Sequence, residues 1–110
     1  MSQQDSFVIV YDEIGPEYVI EVYDPKLKFR GVAVLDNLNL GIAKGGIRMT
    51  GTVNPVEVSR LARAMSYKNA MAGLPFGGGK SGIMVDPKGM SLAKKKAIIE
   101  SFAKMLRPFV

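Results

Sequence analysis

Apolar residues cluster in three short stretches near the start of the chain: Phe7 to Tyr11 (FVIVY), Tyr18 to Tyr23 (YVIEVY) and Phe29 to Leu35 (FRGVAVL). Runs this short and this rich in β-branched and aromatic residues read as strands, and Gly15-Pro16 and Asp24-Pro25 punctuate them as turns. A parallel crossover takes about a dozen residues or more, which these links do not supply, so the three strands are expected to form an antiparallel meander.

The period then changes. Asn54-Pro55-Val56-Glu57 is a helix start, with Asn as the cap, Pro at the first helical position and Glu facing the exposed N–H groups. The helix is expected to run to about Ala72 and stop at Gly73. Val58, Leu61, Met65 and Ala72 follow helical steps and form its expected apolar stripe, with Lys68 falling on the same stripe. Arg60, Arg63 and Tyr67 lie opposite and read as a solvated face. Ile83 to Val85 reads as a short buried strand ended by Asp86-Pro87, and Ser91 can cap a second helix through roughly Arg107. The element order is β-β-β-α-β-α. This predicts one α/β domain over residues 1–110: a mixed sheet, made of the three-strand meander and the later strand, flanked by at least two helices.

Between these elements lie two glycine-rich segments. Asn37 to Thr52 carries Gly41, Gly45, Gly46 and Gly51 and reads as a loop; Pro75 to Gly82 is PFGGGKSG, three glycines leading into Lys80. Consecutive glycines mark places where main chain approaches something closely. A phosphate-binding P-loop does not fit: its first glycine would fall at Leu74, and it should follow a strand and open a helix, whereas here a helix comes first. The chain contains no GxGxxG fingerprint.

Composition narrows the chemistry. The chain has 110 residues, 47% apolar, with neither cysteine nor histidine. Disulfides, thiol catalysis and imidazole bases are therefore excluded, and a reducing, cytoplasmic location is the expectation. No apolar run nears the roughly 18 residues of a membrane span, so no membrane partner is expected. The net charge of +5 is concentrated between Asn37 and Lys88, where seven basic residues face only Glu57 and Asp86. That suits an anionic ligand. Nucleic acid is disfavoured, because no recognised binding motif accompanies the basic residues. Three lysines stand out: Lys44 beside the glycine pair, Lys68 on the helix stripe and Lys80 in the glycine run. Brought together, they could hold a substrate with two carboxylates and leave one ammonium to act as acid or base.

At these residues the sequence resembles a known family. KGGIRM (44–49), YKNAMAGL (67–74) and LPFGGGKSGIMVDPKG (74–89) look like the N-terminal segment of the glutamate, leucine, phenylalanine and valine dehydrogenases. The resemblance implies a substrate-binding and subunit-forming domain, with NAD or NADP bound by a separate Rossmann-type domain outside these residues. It implies that Lys80 is the catalytic lysine, assisting attack of water on an imino intermediate. It also implies that Lys68 holds the substrate α-carboxylate, and that Met65, Gly45 and Gly46 line the pocket. Lys44 matches the lysine that receives the side-chain carboxylate in glutamate enzymes, so the implied substrate is the anionic amino acid L-glutamate. A leucine-type substrate and a non-catalytic interaction module of the same family are the alternatives. A homo-oligomer is expected, and the chain by itself is expected to show no dehydrogenase activity.

Overall fold

The computed structural model describes residues 9–38, 43–44 and 46–109. It is an α/β fold with a mixed sheet between two helices. The strands are β1 (Tyr18–Asp24), β2 (Phe29–Leu35), β3 (Ala43–Lys44), β4 (Ile47–Met49) and β5 (Gly77–Ile83). The helices are α1 (Pro55–Met71) and α2 (Leu92–Leu106), the latter followed by a 3-10 turn over Arg107–Phe109.

The hairpin β1–β2 forms as the sequence predicts, with Tyr18 opposite Leu35 and Asp24 opposite Phe29. Its turn is held by Asp24, whose carboxylate accepts from the amides of Lys26 and Leu27 at 2.8 and 3.1 Å and from the Ser101 hydroxyl of α2 at 2.6 Å. The first strand of the expected meander, Phe7 to Tyr11, is not seen among the described residues. Residues 7 and 8 lie outside the described residues, and 9–11 are not strand. Asp12, directly after them, is instead tied to α1 by Arg63. Long-range pairing here overrides local β propensity.

The larger correction concerns the glycine run. It is not a loop: Gly77 to Ile83 is β5, the strand at the centre of the sheet, and the strand expected at 83–85 ends where it was expected to begin. β5 pairs antiparallel with β2 on one side, Val34 facing Lys80 and Val32 facing Gly82. On its other side β3 and β4 lie in tandem, both parallel to it, with Lys44 opposite Gly78 and Ile47 opposite Ser81. The segment expected to be all loop from 37 to 52 therefore contains two short strands.

Strand alternation sends successive residues to opposite faces. On one face Val32, Val34, Val53, Val58 and Ala62 form a buried cluster beneath α1. On the other, Phe29, Ala33, Ile83, Ile98, Phe102 and Leu106 form a second beneath α2. Phe29 and Phe102 meet edge to face, ring centroids 6.5 Å apart.

The ends of α1 match the sequence reading. The Asn54 side chain accepts from the amide of Glu57 at 2.9 Å. At the other end Gly73 has φ 68°, and the amides of Gly73 and Leu74 bond back to the carbonyls of Ala70 and Asn69. This is a Schellman stop, which needs a residue at ease with positive φ. The buried face of α1 differs from the expected stripe. It is Val56, Val58, Ser59, Ala62, Ser66 and Asn69, while Leu61 and Met65 are half-buried and Lys68 and Ala72 are exposed. Small side chains face the sheet because the opposing strand is glycine: a Cβ on Gly78 would overlap the Ala62 carbonyl and the Ser66 amide and hydroxyl.

Candidate active site

Lys80 sits midway along β5 and is half-buried. By alternation it shares the α1 face with Gly78 and Gly82, whose missing side chains make room for α1 and for Val53 and Val58. On the β4 side the chain passes very close. A Cβ built on Gly46 would lie 3.3 Å from the Lys80 ammonium nitrogen, and the amide of Ser81 donates to the Gly46 carbonyl at 3.0 Å. The two glycine-flanked lysine motifs thus meet: Gly46 stands beside Lys80, and Lys44 is in register with Gly78, two residues before Lys80 along β5. Gly45 and the side chain of Lys44 lie outside the described residues. Met65 is half-buried on α1, and Lys68 is exposed near its C-terminal end, off the buried face. The lysine placed by periodicity on the apolar stripe is a solvated lysine in this chain.

The sequence reading missed a polar network one step away from these residues. Asp36, at the end of β2, is fully buried, and its Oδ2 accepts from Arg63 Nε and from the Ser66 hydroxyl, both at 2.7 Å. The two terminal nitrogens of Arg63 reach Asp12 at 2.7 and 2.8 Å, a bidentate pair, and one also reaches the Gly15 carbonyl at 3.2 Å. Arg63 was expected on a solvated face; its side chain is only 19% exposed. The pairing holds the Asp12 carboxyl well below the usual carboxylate range, chiefly through the hydrogen bonds from Arg63. Two signals could have found this network: an aspartate directly after a buried strand, and Arg63 and Ser66 three apart on one helix.

Two cavities flank the network. One of about 260 Å³ is lined by Val10, Asp12, Val56, Ser59, Arg60 and Arg63. One of about 180 Å³ is lined by Ile14, Asn37, Ser66, Tyr67, Ala70 and Gly77. Neither includes Lys68 or Lys80. Among the described residues no cluster of acidic side chains could hold a metal ion, and no helix is long and apolar enough to cross a membrane.

Comparison with known proteins shows the family. The sequence model of the Glu/Leu/Phe/Val dehydrogenase dimerisation domain matches residues 16–110. The chain belongs to this family. It is 37% identical over 102 residues to the NADP-specific glutamate dehydrogenase of Saccharolobus shibatae, covering 86% of this chain and 24% of that protein. It is 51% identical over 63 residues to the glutamate dehydrogenase of Thermotoga maritima, covering 57% of this chain and 15% of the relative. Among solved structures, the glutamate dehydrogenase of Peptoniphilus asaccharolyticus superposes with a TM-score of 0.82 at 32% identity, over 86% of this chain and 26% of that one. The leucine-bound hetero-hexameric enzyme of Thermus thermophilus gives 0.79 at 32% identity, over 83% and 24%. The matched part of the chain thus spans between 15% and 26% of the length of these relatives. The match beginning at residue 16 takes in the β1–β2 hairpin and α2 as well as the three motifs.

Proposed function

We propose that this chain is the substrate-binding and subunit-association part of an NAD(P)-dependent dehydrogenase that converts L-glutamate to 2-oxoglutarate and ammonia. Lys68 holds the α-carboxylate, Lys44 the side-chain carboxylate, and Lys80 acts at the reacting carbon, orienting water and carrying its proton. Met65 and the Gly45-Gly46 main chain shape the pocket. The observation that carries this reading is the approach of Gly46 to the Lys80 ammonium, which puts the motif bearing Lys44 against the strand bearing Lys80. Three of the relatives named above carry glutamate in their names without a second substrate, which favours glutamate over a leucine-type substrate.

The nicotinamide cofactor finds no seat among the described residues. A dinucleotide pyrophosphate needs a glycine turn that opens a helix N-terminus. The glycine run 77–79 instead lies in a paired strand, with Gly78 closed by α1 and Gly77 by the Asn37 carbonyl.

The test is an amide NMR titration of the protein with L-glutamate and with L-norvaline, which lacks the second carboxylate. Glutamate shifts amides at 46–48 and 79–81, and Lys44→Leu weakens its binding at least about fivefold, the size of one solvent-screened charge pair. Norvaline binding stays the same or improves. Equal weakening for both ligands would mean that Lys44 does not read the side chain.

A further inference from the structure

The glycines of this chain divide by what occupies the space of their missing side chains. At Gly15, Gly77 and Gly78 that space holds main chain, and at Gly82 it holds Val58 at 2.7 Å and Val53 at 3.1 Å. These are packing positions. Gly46 is different: among the described residues, the group within 4 Å of its absent Cβ is the Lys80 ammonium nitrogen, at 3.3 Å. Gly46 is exposed, its φ is not in the left-handed region, and its carbonyl is anchored by the Ser81 amide at 3.0 Å. Among the described residues, no main chain or packed side chain fills the space of a side chain at this position. The anchoring bond also holds Gly46 level with the residue next to Lys80, so the main chain cannot easily withdraw.

We propose that Gly46 is a positioning residue for Lys80: its lack of a side chain leaves the space in which the Lys80 ammonium rests on the β4 edge of the sheet. A methyl group at 46 makes a contact tighter than ordinary van der Waals separation. Of the two groups in that contact, the end of a flexible lysine side chain yields before a hydrogen-bonded strand does. The ammonium is therefore displaced while the fold is kept. For the reaction proposed above, on which the kinetic part of this inference rests, a displaced proton carrier lowers turnover and leaves substrate affinity largely intact.

The experiment follows the lysine directly. In protein labelled with [13C]lysine, the Hε–Cε cross-peak of Lys80 is assigned by its loss in Lys80→Arg. In Gly46→Ala this cross-peak moves, the other lysine peaks keep their positions, and the thermal midpoint stays close to wild type. Gly51→Ala is the control, since its new Cβ meets only Asp86 at an ordinary 3.5 Å; it leaves the Lys80 peak unmoved. A folded Gly46→Ala protein with an unshifted Lys80 peak overturns the proposal. Should Gly46→Ala fail to fold, the same change is made in Lys80→Ala, which removes the obstructing ammonium. Recovery of the fold supports the contact, and failure in both backgrounds overturns it, because the demand for glycine would then come from the main chain. The NMR readout needs no substrate, so it stands apart from the amino-acid reading. Where glutamate oxidation is measured, Gly46→Ala lowers kcat by about tenfold or more with KM little changed; equal losses in Gly46→Ala and Gly51→Ala overturn the kinetic role.

Discussion

At the scale of single residues, charge is concentrated in one network, and its arithmetic sets a prediction. Arg63 is bonded to both Asp12 and Asp36, and Asp36 is buried with its second oxygen lacking a hydrogen-bond partner among the described residues. Removing the guanidinium leaves a buried carboxylate that, among the described residues, keeps the Ser66 hydroxyl as its side-chain partner. Breaking a buried pair in this way costs about 3 kcal/mol or more. Arg63→Ala is therefore expected to lower the urea stability at neutral pH by about that amount. The loss depends on pH, and the sign follows from Asp12. Its carboxyl is held low in the folded state against 3.8 when unpaired. Such a group contributes stability above its unfolded pKa and loses it as pH falls through the folded one. The gap between wild type and Arg63→Ala should narrow as pH drops from about 6 toward about 2.5. A gap that is constant across that range would show that Asp12 contributes nothing through Arg63.

At the scale of elements, what was legible in the sequence is what local chemistry decides. The cap at Asn54, the stop at Gly73, the cap at Ser91 and the hairpin of residues 18–35 each depend on residues within a few positions of one another. What was not legible depends on contacts made later. Glycine lowers strand propensity wherever it is read alone, so Gly77 to Gly79 look like loop; they are strand because α1 and the Asn37 carbonyl fill the space that side chains would take. The same contact explains why the buried face of α1 was misread. An apolar-stripe search favours Leu61 and Met65, yet the face against a glycine strand must be small, and Ala62 and Ser66 occupy it. The lysines were singled out by their flanking motifs, which are local; Arg63 was not, since its partners lie 27 and 51 residues away. Gly78→Ala tests the contact. Its methyl group would collide with helix backbone, so α1 must lift off β5 and open the cluster of Val32, Val34 and Val58. The expected loss is about 3 kcal/mol or more, beyond the roughly 1 kcal/mol of placing alanine at the positive φ of Gly73. If the melting curves of Gly78→Ala and Gly73→Ala coincide, the close approach of helix to strand is not what the glycines serve.

At the scale of the whole molecule, the sheet is closed on both faces but open at an edge. β1 pairs only with β2 among the described strands, leaving one row of its N–H and C=O groups without a strand partner, and Tyr18 and Tyr23 stand exposed at its two ends. A strand edge of seven residues bearing exposed aromatics is a surface that soluble proteins ordinarily cover or blunt with charge. β1 carries Glu21 and Asp24 as its only charged residues, and Asp24 is already engaged with Ser101. The family model that the chain matches is that of a dimerisation domain, and the occupant to test for this edge is a second copy of the same chain. Two copies related by a two-fold axis would add β1 to β1 antiparallel and bring each Tyr18 toward the partner's end of the ladder. The expected outcome in sedimentation is association at tens of micromolar protein, weakened when Tyr18 and Tyr23 are both replaced by lysine, since like charges would then meet across the axis. Lysine at the exposed Leu92 of α2 should leave the association unchanged. A wild-type protein that sediments as a clean monomer would remove the edge from consideration. Association that survives the tyrosine replacements and is lost with Leu92→Lys would move the contact to α2.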